Sequence, residues 1–141
     1  MRRPAGQLMR RPAGQVVVES ALAVTAFVLI LFGILDFGRA FWTWQSLSTG
    51  AREAVRWAIV HGADAGLSKS ETATQGEAWV MSQFGSTLPK DVKVNFSWPD
   101  GSNEPGQAVR VSLQSDFAPA TPLLGTNKIP LEGLSQMEII L

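Results

Sequence analysis

The longest apolar segment of the chain covers residues 16–35, VVVESALAVTAFVLILFGIL, and contains 20 residues with a single charged side chain, Glu19. As a helix it would be ~30 Å long, the thickness of the hydrocarbon core of a bilayer. Thirteen of its residues are Val, Leu, Ile or Phe. At about −0.3 to −0.6 kcal/mol each, their insertion outweighs one carboxylate near the end of the segment. A chain of 141 residues has little core in which to bury such a helix. The pattern therefore predicts one membrane span.

The helical pattern continues beyond this span, without a proline, as far as Val60. Apolar residues recur there in steps of three and four, which predicts one apolar helix face. These residues are Phe37, Phe41, Trp44, Leu47, Ala51, Val55 and Ile59. We expect one continuous helix of ~68 Å over residues 16–60, ended by Gly62. Asp36 and Arg39 should form an i,i+3 ion pair worth a few tenths of a kcal/mol. The aromatic residues 41, 42 and 44 lie where an outer aromatic belt is expected.

The second half of the chain has the patterns of a small mixed domain. Residues 68–71, SKSE, form a capping-box pattern that predicts a helix over residues 70–84. Trp79, Val80 and Phe84 should face inward from this helix. Residues 92–98 and 109–117 alternate between apolar and polar side chains, which is typical of half-buried strands.

The segment PDGSNEPG between these strands is rich in turn residues, so the two strands should form a hairpin with a long loop. Residues 118–128 are predicted to be a loop, and the apolar tail over residues 131–141 is predicted to add a third strand. The predicted fold class is α+β. A long N-terminal helix, transmembrane and then amphipathic, precedes a small domain with one short helix and an antiparallel sheet of two to three strands.

The charges are distributed unevenly along the chain. Four arginines, at positions 2, 3, 10 and 11, precede the span with no acid before Glu19, whereas eight basic and eleven acidic residues follow it. Because Lys and Arg beside a span mark its cytoplasmic side, the N-terminus should be inside and the domain outside. The net charge of zero gives no indication of a nucleic-acid partner.

The sequence offers no set of residues typical of an enzyme. It has no cysteine, which excludes disulfides and thiolate sites, and its one histidine, His61, is expected to bond carbonyl groups at the helix end. No catalytic triad, metal cluster or phosphate-binding sequence can be assembled, so we predict no catalytic residues, no metal and no cofactor. The loop at residues 100–104 has oxygen ligands but lacks the EF-hand spacing, and we predict a simple turn.

The N-terminus contains a duplication, because RRPAGQ occurs at residues 2–7 and again at residues 10–15, each time after a methionine. The repeat is too short to be structural and indicates a duplicated start, with Met9 as an alternative to Met1 as the initiator. Its Arg, Pro and Gly content predicts disorder. A cleaved secretory signal is the less favoured alternative, because the apolar run is long and no A-x-A site follows it.

The junction between the leader and the span resembles the prepilin-peptidase site of type IV pilins, since Gly14 is followed by Gln15 and, five residues on, by Glu19. The first copy of the repeat has Arg11 at the corresponding place and no apolar run. The resemblance implies cleavage between Gly14 and Gln15. Glu19 could then pair with the new amine of Gln15, in the same or a neighbouring subunit, or it could cap the helix dipole.

Two further motifs, DFGR at residues 36–39 and AREAVRW at residues 51–57, extend the likeness. Together with the junction and the span they resemble the TadE-like family, pseudopilins of the tight-adherence (Flp) pilus system. Ser20 and Val55 depart from the usual pattern of the family. The resemblance covers residues 14–62 and divides the chain into a basic leader (1–14), a transmembrane and extended amphipathic helix (15–61) and an exported α+β domain (62–141).

The resemblance implies a minor pilin or pseudopilin of the cytoplasmic (inner) membrane, a single-pass protein with or without incorporation into a pilus. Its implied partners are the lipid bilayer, other pilins and pseudopilins, a prepilin peptidase and the pilus assembly platform. The alternative is an unprocessed single-pass membrane protein whose exported domain binds an unknown ligand. Cleavage at Gly14 separates these two functions.

Overall fold

The computed structural model describes residues 13–62, 65–121, 125 and 127–140. The duplicated start and the predicted disorder of the leader at residues 1–12 lie outside the described residues, as does part of the loop predicted over residues 118–128. The elements follow the order α1, α2, β1, β2 and β3. Their bounds are Ala13–Ala58, Lys69–Phe84, Lys93–Ser97, Ala108–Phe117 and Ile129–Glu138. The α+β class is confirmed, with three strands.

Helix α1 is one uninterrupted helix of 46 residues, which corresponds to ~69 Å. It contains no proline, and its internal glycines do not interrupt it. The helix ends at Ala58, so the predicted extension to Val60 is wrong, as is the assignment of Gly62 as its terminator. Gly62 is not among the glycines with positive φ. A Cβ atom there would lie 3.1 Å from the carbonyl oxygen of Asn103, so Gly62 permits a close approach of that loop.

Helix α2 begins with the predicted capping box. The backbone N–H of Ser68 donates to the Glu71 carboxylate at 2.8 Å, and the Glu71 N–H donates to the Ser68 hydroxyl at 3.3 Å. These bonds occupy two N–H groups that a helix end would otherwise leave unpaired. The hydrogen bonds from Ser68 also lower the pKa of the Glu71 carboxyl. Val80 is fully buried, while Trp79 and Phe84 are partly buried against the core, so the predicted inward face is confirmed.

The sheet is antiparallel with the strand order β1-β2-β3. Val111 lies opposite Phe96 on one side and Ser135 on the other. The predicted hairpin of β1 and β2 is confirmed. Its loop is fixed by hydrogen bonds, because the carboxylate of Asp100 accepts the N–H of Ala108 at 2.8 Å. Every second residue of β2 from Val109 to Phe117 is buried, as the alternating pattern predicts.

The core lies between this sheet, α2 and the C-terminal part of α1. The buried hydrophobic residues that form it are Leu47, Ala51, Ala54, Val55, Ala58, Val80, Leu88, Phe96, Val109, Val111, Leu113 and Ile139. Strand β3 crosses α1 in direct backbone contact at Gly133, where a Cβ atom would overlap the backbone of Leu47 and Ser48. Gly133 allows this approach because it has no side chain. The sheet therefore packs mainly on α1, and α2 contacts α1 and β1.

The predicted apolar face of α1 is only half right. Leu47, Ala51 and Val55 are fully buried, but Phe37 and Phe41 are 70% and 54% exposed. The domain covers α1 on a face that runs through Asp36 rather than through the aromatic residues. Phe37, Phe41 and Trp44 instead form an exposed row of aromatic rings beside the covered face. The ring centroids are 6.3 Å apart for Phe37 and Phe41, and 5.9 Å apart for Phe41 and Trp44. Periodicity alone could not show which flank the sheet would cover.

Candidate functional site

The first candidate site is the N-terminal part of α1, residues 16–35. Among the described residues, one helix is long and apolar enough to cross a membrane, and its most apolar window is not buried by the rest of the chain. The thirteen Val, Leu, Ile and Phe side chains of this segment are all exposed. Monomeric soluble proteins rarely expose so large an apolar surface. This part of α1 therefore has the properties of a membrane anchor.

The predicted processing site lies at the start of this anchor. Gly14 and Gln15 are helical and exposed, and a Cβ atom at Gly14 would meet no atom within 4 Å. Glu19 is exposed one turn further on, and no acidic residue lies in the first turn of α1. The structure contains a single chain, so the predicted cleavage and the two predicted roles of Glu19 stay predictions.

The second candidate site is the place where α1 leaves the span. Asp36 is only 1% exposed, although it directly follows the apolar segment. Its carboxylate accepts the backbone N–H groups of Ala120 at 2.9 Å and Thr121 at 3.0 Å, and the hydroxyl of Thr121 at 2.5 Å. We call Asp36, Ala120 and Thr121 the Asp36 cluster. The cluster ties the segment after β2 to the helix at the edge of the predicted bilayer.

The predicted pair of Asp36 and Arg39 is present, with 3.3 Å between the Nη1 atom of Arg39 and the Oδ1 atom of Asp36. Its setting differs from that of an ordinary surface pair. Asp36 is buried, while the Arg39 side chain is 56% exposed, and its guanidinium lies 5.4 Å from the ring centroid of Phe117. A fixed position on an aromatic ring orients the guanidinium, and within the described part of the chain its hydrogen-bond partner is Asp36 alone.

A groove lies between this part of α1 and the domain, with a volume of about 620 Å³. Its α1 side is formed mainly by Ile34, Leu35, Gly38 and Trp42, and its opposite side by residues around Pro89 and the C-terminal end of β2. The groove is thus apolar where Ile34 and Leu35 continue the anchor, and it carries charged side chains further on, Arg39 on α1 and Asp91 and Asp116 on the opposite side.

A carboxylate, Asp91, is fixed at the charged end of this groove. The hydroxyl of Ser115 donates to Asp91 at 2.9 Å, and the N–H of Asp116 donates to it at 3.3 Å. The Ser115 hydrogen bond is the main reason that the pKa of Asp91 is lowered. Asp91 is therefore ionised at neutral pH, and the groove offers a negative as well as a positive group.

The single histidine behaves as the sequence predicts. The Nδ1 atom of His61 donates to the carbonyl oxygen of Trp57 at 2.8 Å, and the two rings stack with centroids 4.2 Å apart. Within the described ranges, no group of three His, Asp or Glu side chains could hold a metal ion. The turn at residues 100–104 binds other parts of the chain, since its Asn103 amide donates to the carbonyl of Leu67 at 2.9 Å.

These features agree with a comparison to known families. Residues 14–56 match the family model described as TadE-like protein. The match covers less than half of the chain and agrees with the resemblance that the junction and the two helix motifs indicate. The TadE-like segment contains the whole anchor, Asp36, Arg39 and most of the core face of α1, but not α2 or the sheet. The family and the apolar helix together fit a membrane protein associated with the Tad pilus. No curated protein and no solved structure matches the chain.

Sequence reasoning missed the Asp36 cluster, the groove and Asp91. The only local signal was a charged residue directly after an apolar span, which is a costly place for a carboxylate unless it has partners. That signal indicates that Asp36 needs donors, but the donors lie 84 and 85 residues further along the chain. Nothing in the local pattern around Thr121 marks it as one of them.

Proposed function

We propose that the protein is a TadE-like pseudopilin or minor pilin, a membrane-anchored structural component of tight-adherence (Flp) pilus assembly and secretion. The observation that carries this proposal is the TadE-like match over a helix that joins an exposed apolar anchor to a folded domain without a break. The role is structural rather than catalytic. Its partners are the lipid bilayer, other pilins and pseudopilins, a prepilin peptidase and the pilus assembly platform.

The form of α1 supports such a role. The exposed side chains of residues 16–35 can pack against lipid or against the spans of neighbouring subunits. Because the helix continues from this segment into the core of the domain, a force or displacement on the anchor reaches the domain directly. A flexible linker between the two would not transmit it.

The proposal includes cleavage between Gly14 and Gln15 by the peptidase. The substitution Gly14→Val should block processing, because a branched side chain crowds the peptidase site, and the precursor should run larger on a gel. Gly6→Val is the matched control, since Gly6 occupies the same place in the first copy of the repeat and should not affect processing. Mass spectrometry of the wild-type protein gives the mature N-terminus. Intact residues 10–14 in that protein would refute cleavage and favour the unprocessed membrane protein with an exported binding domain.

The proposal also includes a charge pair between Glu19 and the amine of Gln15 in an assembly. Removing one partner of a buried ion pair typically costs ~3–5 kcal/mol. Glu19→Gln should therefore reach the membrane normally but no longer co-purify with other pilins or support piliation. Normal piliation in that strain would remove the pairing role and leave the weaker interaction with the helix dipole.

The proposed topology has the N-terminus in the cytoplasm and the domain outside the cytoplasmic membrane. The four arginines ahead of the span and the acidic excess behind it support this orientation. A reporter that is active only outside the cytoplasm should work when it is fused after Leu141. Activity of a cytoplasmic reporter alone at that position would reverse the orientation.

A further inference from the structure

The groove beside α1 lies at the level where the helix leaves the hydrocarbon core. Ile34 and Leu35 are the last residues of the apolar span, and both line the groove. Arg39 is four residues further on, which places it ~6 Å above Leu35 along the helix. The polar headgroup layer on each side of a bilayer is ~5–7 Å thick. The apolar end of the groove thus opens to acyl chains, and its charged end lies among headgroups.

The positive group of the groove suits a phosphate. Arg39 is held in place by Asp36 and by the ring of Phe117. A guanidinium has five N–H donors in a planar fork, and the hydrogen bond to Asp36 at 3.3 Å, the one that Arg39 makes to the residues described, uses one of them. The remaining donors match the geometry of phosphate oxygens.

The negative groups lie across the groove from Arg39. Asp91 and Asp116 both line it, and two hydrogen bonds fix the carboxylate of Asp91. A carboxylate has about four acceptor sites, so Asp91 can still accept hydrogen bonds from a ligand. A ligand that fits the whole groove therefore carries an apolar chain, a phosphate and a cation that donates hydrogen bonds.

We propose that this groove is a binding site for a phospholipid with a primary-amine headgroup. One acyl chain lies along Ile34, Leu35 and Gly38, the phosphate binds Arg39, and the ammonium group faces Asp91 and Asp116. A trimethylammonium headgroup has the charge but no N–H donor, and a glycerol headgroup has no cation. The order of preference is therefore ethanolamine, then choline, then glycerol. The proposal requires a membrane anchor but not a function in pili.

The tryptophans of α1 provide a direct test. Trp42 lines the groove, whereas Trp44 lies on the opposite flank against Phe41, with ring centroids 5.9 Å apart. The full chain is reconstituted in phosphatidylcholine bilayers that contain a small fraction of phosphatidylethanolamine, phosphatidylcholine or phosphatidylglycerol. Each is brominated on acyl carbons near the headgroup, and quenching of tryptophan fluorescence is measured.

We expect the brominated ethanolamine lipid to quench two- to fivefold more than the choline lipid, the factor that ~0.5–1 kcal/mol from the N–H hydrogen bond that choline lacks provides. This excess of quenching by the ethanolamine lipid over the choline lipid should persist in Trp44→Phe and disappear in Trp42→Phe. Equal quenching by all three lipids, or an excess that survives Trp42→Phe, would overturn the proposal.

Side-chain variants test the chemistry of the site. Asp116→Asn keeps the N–H that donates to Asp91 and should bring quenching by the ethanolamine lipid down to the choline level. Arg39→Gln should weaken quenching by all three lipids. Glu77→Gln is the matched control, because Glu77 is an exposed acid of α2 that does not line the groove. The same loss in Glu77→Gln as in Asp116→Asn would show a general charge effect and refute the site.

The other candidate occupant is a second copy of the chain. Because the sequence has no cysteine, the substitution Thr43→Cys places a single thiol in the groove and tests whether two copies meet there. We expect the Thr43→Cys protein to stay monomeric when it is oxidised in the bilayer. Efficient disulfide formation between two copies would make the groove an interface between chains and would overturn the lipid assignment.

Discussion

The two ends of α1 both carry apolar side chains, but the domain buries only those of the C-terminal end. The lower half, residues 16–35, carries thirteen large aliphatic or aromatic side chains that are all exposed. The upper half, residues 47–58, has small residues at the contact with the sheet, and Ala51 and Ala54 are fully buried. Gly50 is also buried, and a Cβ atom there would lie 2.8 Å from the Cδ2 atom of Leu113.

This difference shows that the size of the apolar side chains, as much as their hydrophobicity, determines what a helix can pack against. A strand backbone can approach a helix closely only where no large side chain lies between them, as at Gly133 of β3 against Leu47 and Ser48. Large side chains prevent that approach but give a wide apolar surface, which a fluid lipid phase can cover. The boundary between the two halves is the region of the Asp36 cluster, where the segment after β2 contacts α1.

The largest loss of stability is expected from a substitution at the contact between β3 and the upper half of α1. Gly133→Ala would place a Cβ atom on the backbone of Leu47 and Ser48, and neither backbone can move without separating the sheet from the helix. We expect a loss of ~3 kcal/mol or more, or no folded domain at all. Gly38→Ala is the control, because a Cβ atom there meets nothing within 4 Å, and it should gain up to ~1 kcal/mol from helix propensity. Urea denaturation in detergent micelles, followed by tryptophan fluorescence, measures both. Equal urea midpoints for Gly133→Ala and Gly38→Ala would contradict the close packing of β3 on α1.

A pair of leucine substitutions compares the two halves directly. Leu113→Ala removes a fully buried side chain that faces Gly50 and should cost ~2–5 kcal/mol of domain stability. Leu29→Ala removes a side chain that is 44% exposed in the anchor and leaves no cavity in the domain. Its urea midpoint should match that of the wild type. A fall of similar size for Leu29→Ala would mean that the lower half packs on the domain.

The boundary between the halves is tested at Thr121. Thr121→Val removes the hydroxyl that donates to Asp36 and leaves a buried acceptor with fewer donors. The urea midpoint should fall, by less than in Leu113→Ala, and amide exchange at Ala120 and Thr121 should become faster. Thr121→Ser keeps the hydroxyl and should stay near the wild type. A fall in Thr121→Ser, which loses the methyl group, without a fall in Thr121→Val would indicate that methyl packing rather than the hydrogen bond stabilises the contact.

The smallest expected change is in how the stability of the domain depends on pH, through Asp91 at the edge of the groove. Because folding lowers the pKa of Asp91, mainly through the Ser115 hydroxyl, its carboxylate stabilises the domain above the ordinary pKa of about 3.9. That contribution is lost as the pH falls through the lower pKa of the folded state. Ser115→Ala should therefore lower the urea midpoint at neutral pH, and the difference from the wild type should shrink as the pH falls below about 4. The same difference at both pH values would exclude the ionised form of Asp91 as the cause.

Much of the fold follows from short-range patterns. The capping box at Ser68 and Glu71, the alternation along β2 and the long apolar run of the anchor each predict the element that forms. The apolar face of α1 was predicted correctly at Leu47 but wrongly at Phe37 and Phe41. Residues on adjacent flanks of a helix have the same period, so periodicity does not say which flank a sheet will cover.

The site was predicted in part. The anchor and the TadE-like motifs are visible in the sequence because each is a local pattern. The burial of Asp36 was not predicted, since a carboxylate three residues before an arginine indicates a weak surface pair. Its actual environment depends on Thr121, whose N–H donates to it across 85 residues of chain.

The sequence by itself therefore determined the elements, the apolar anchor and the likeness to the TadE-like family, because periodicity, capping and composition act between residues that are close along the chain. The tertiary structure decided which flank of α1 is buried, where β3 touches its backbone and which charges meet in the groove. These contacts join residues that are distant in sequence, and they depend on how the surfaces of α1 and the sheet fit together.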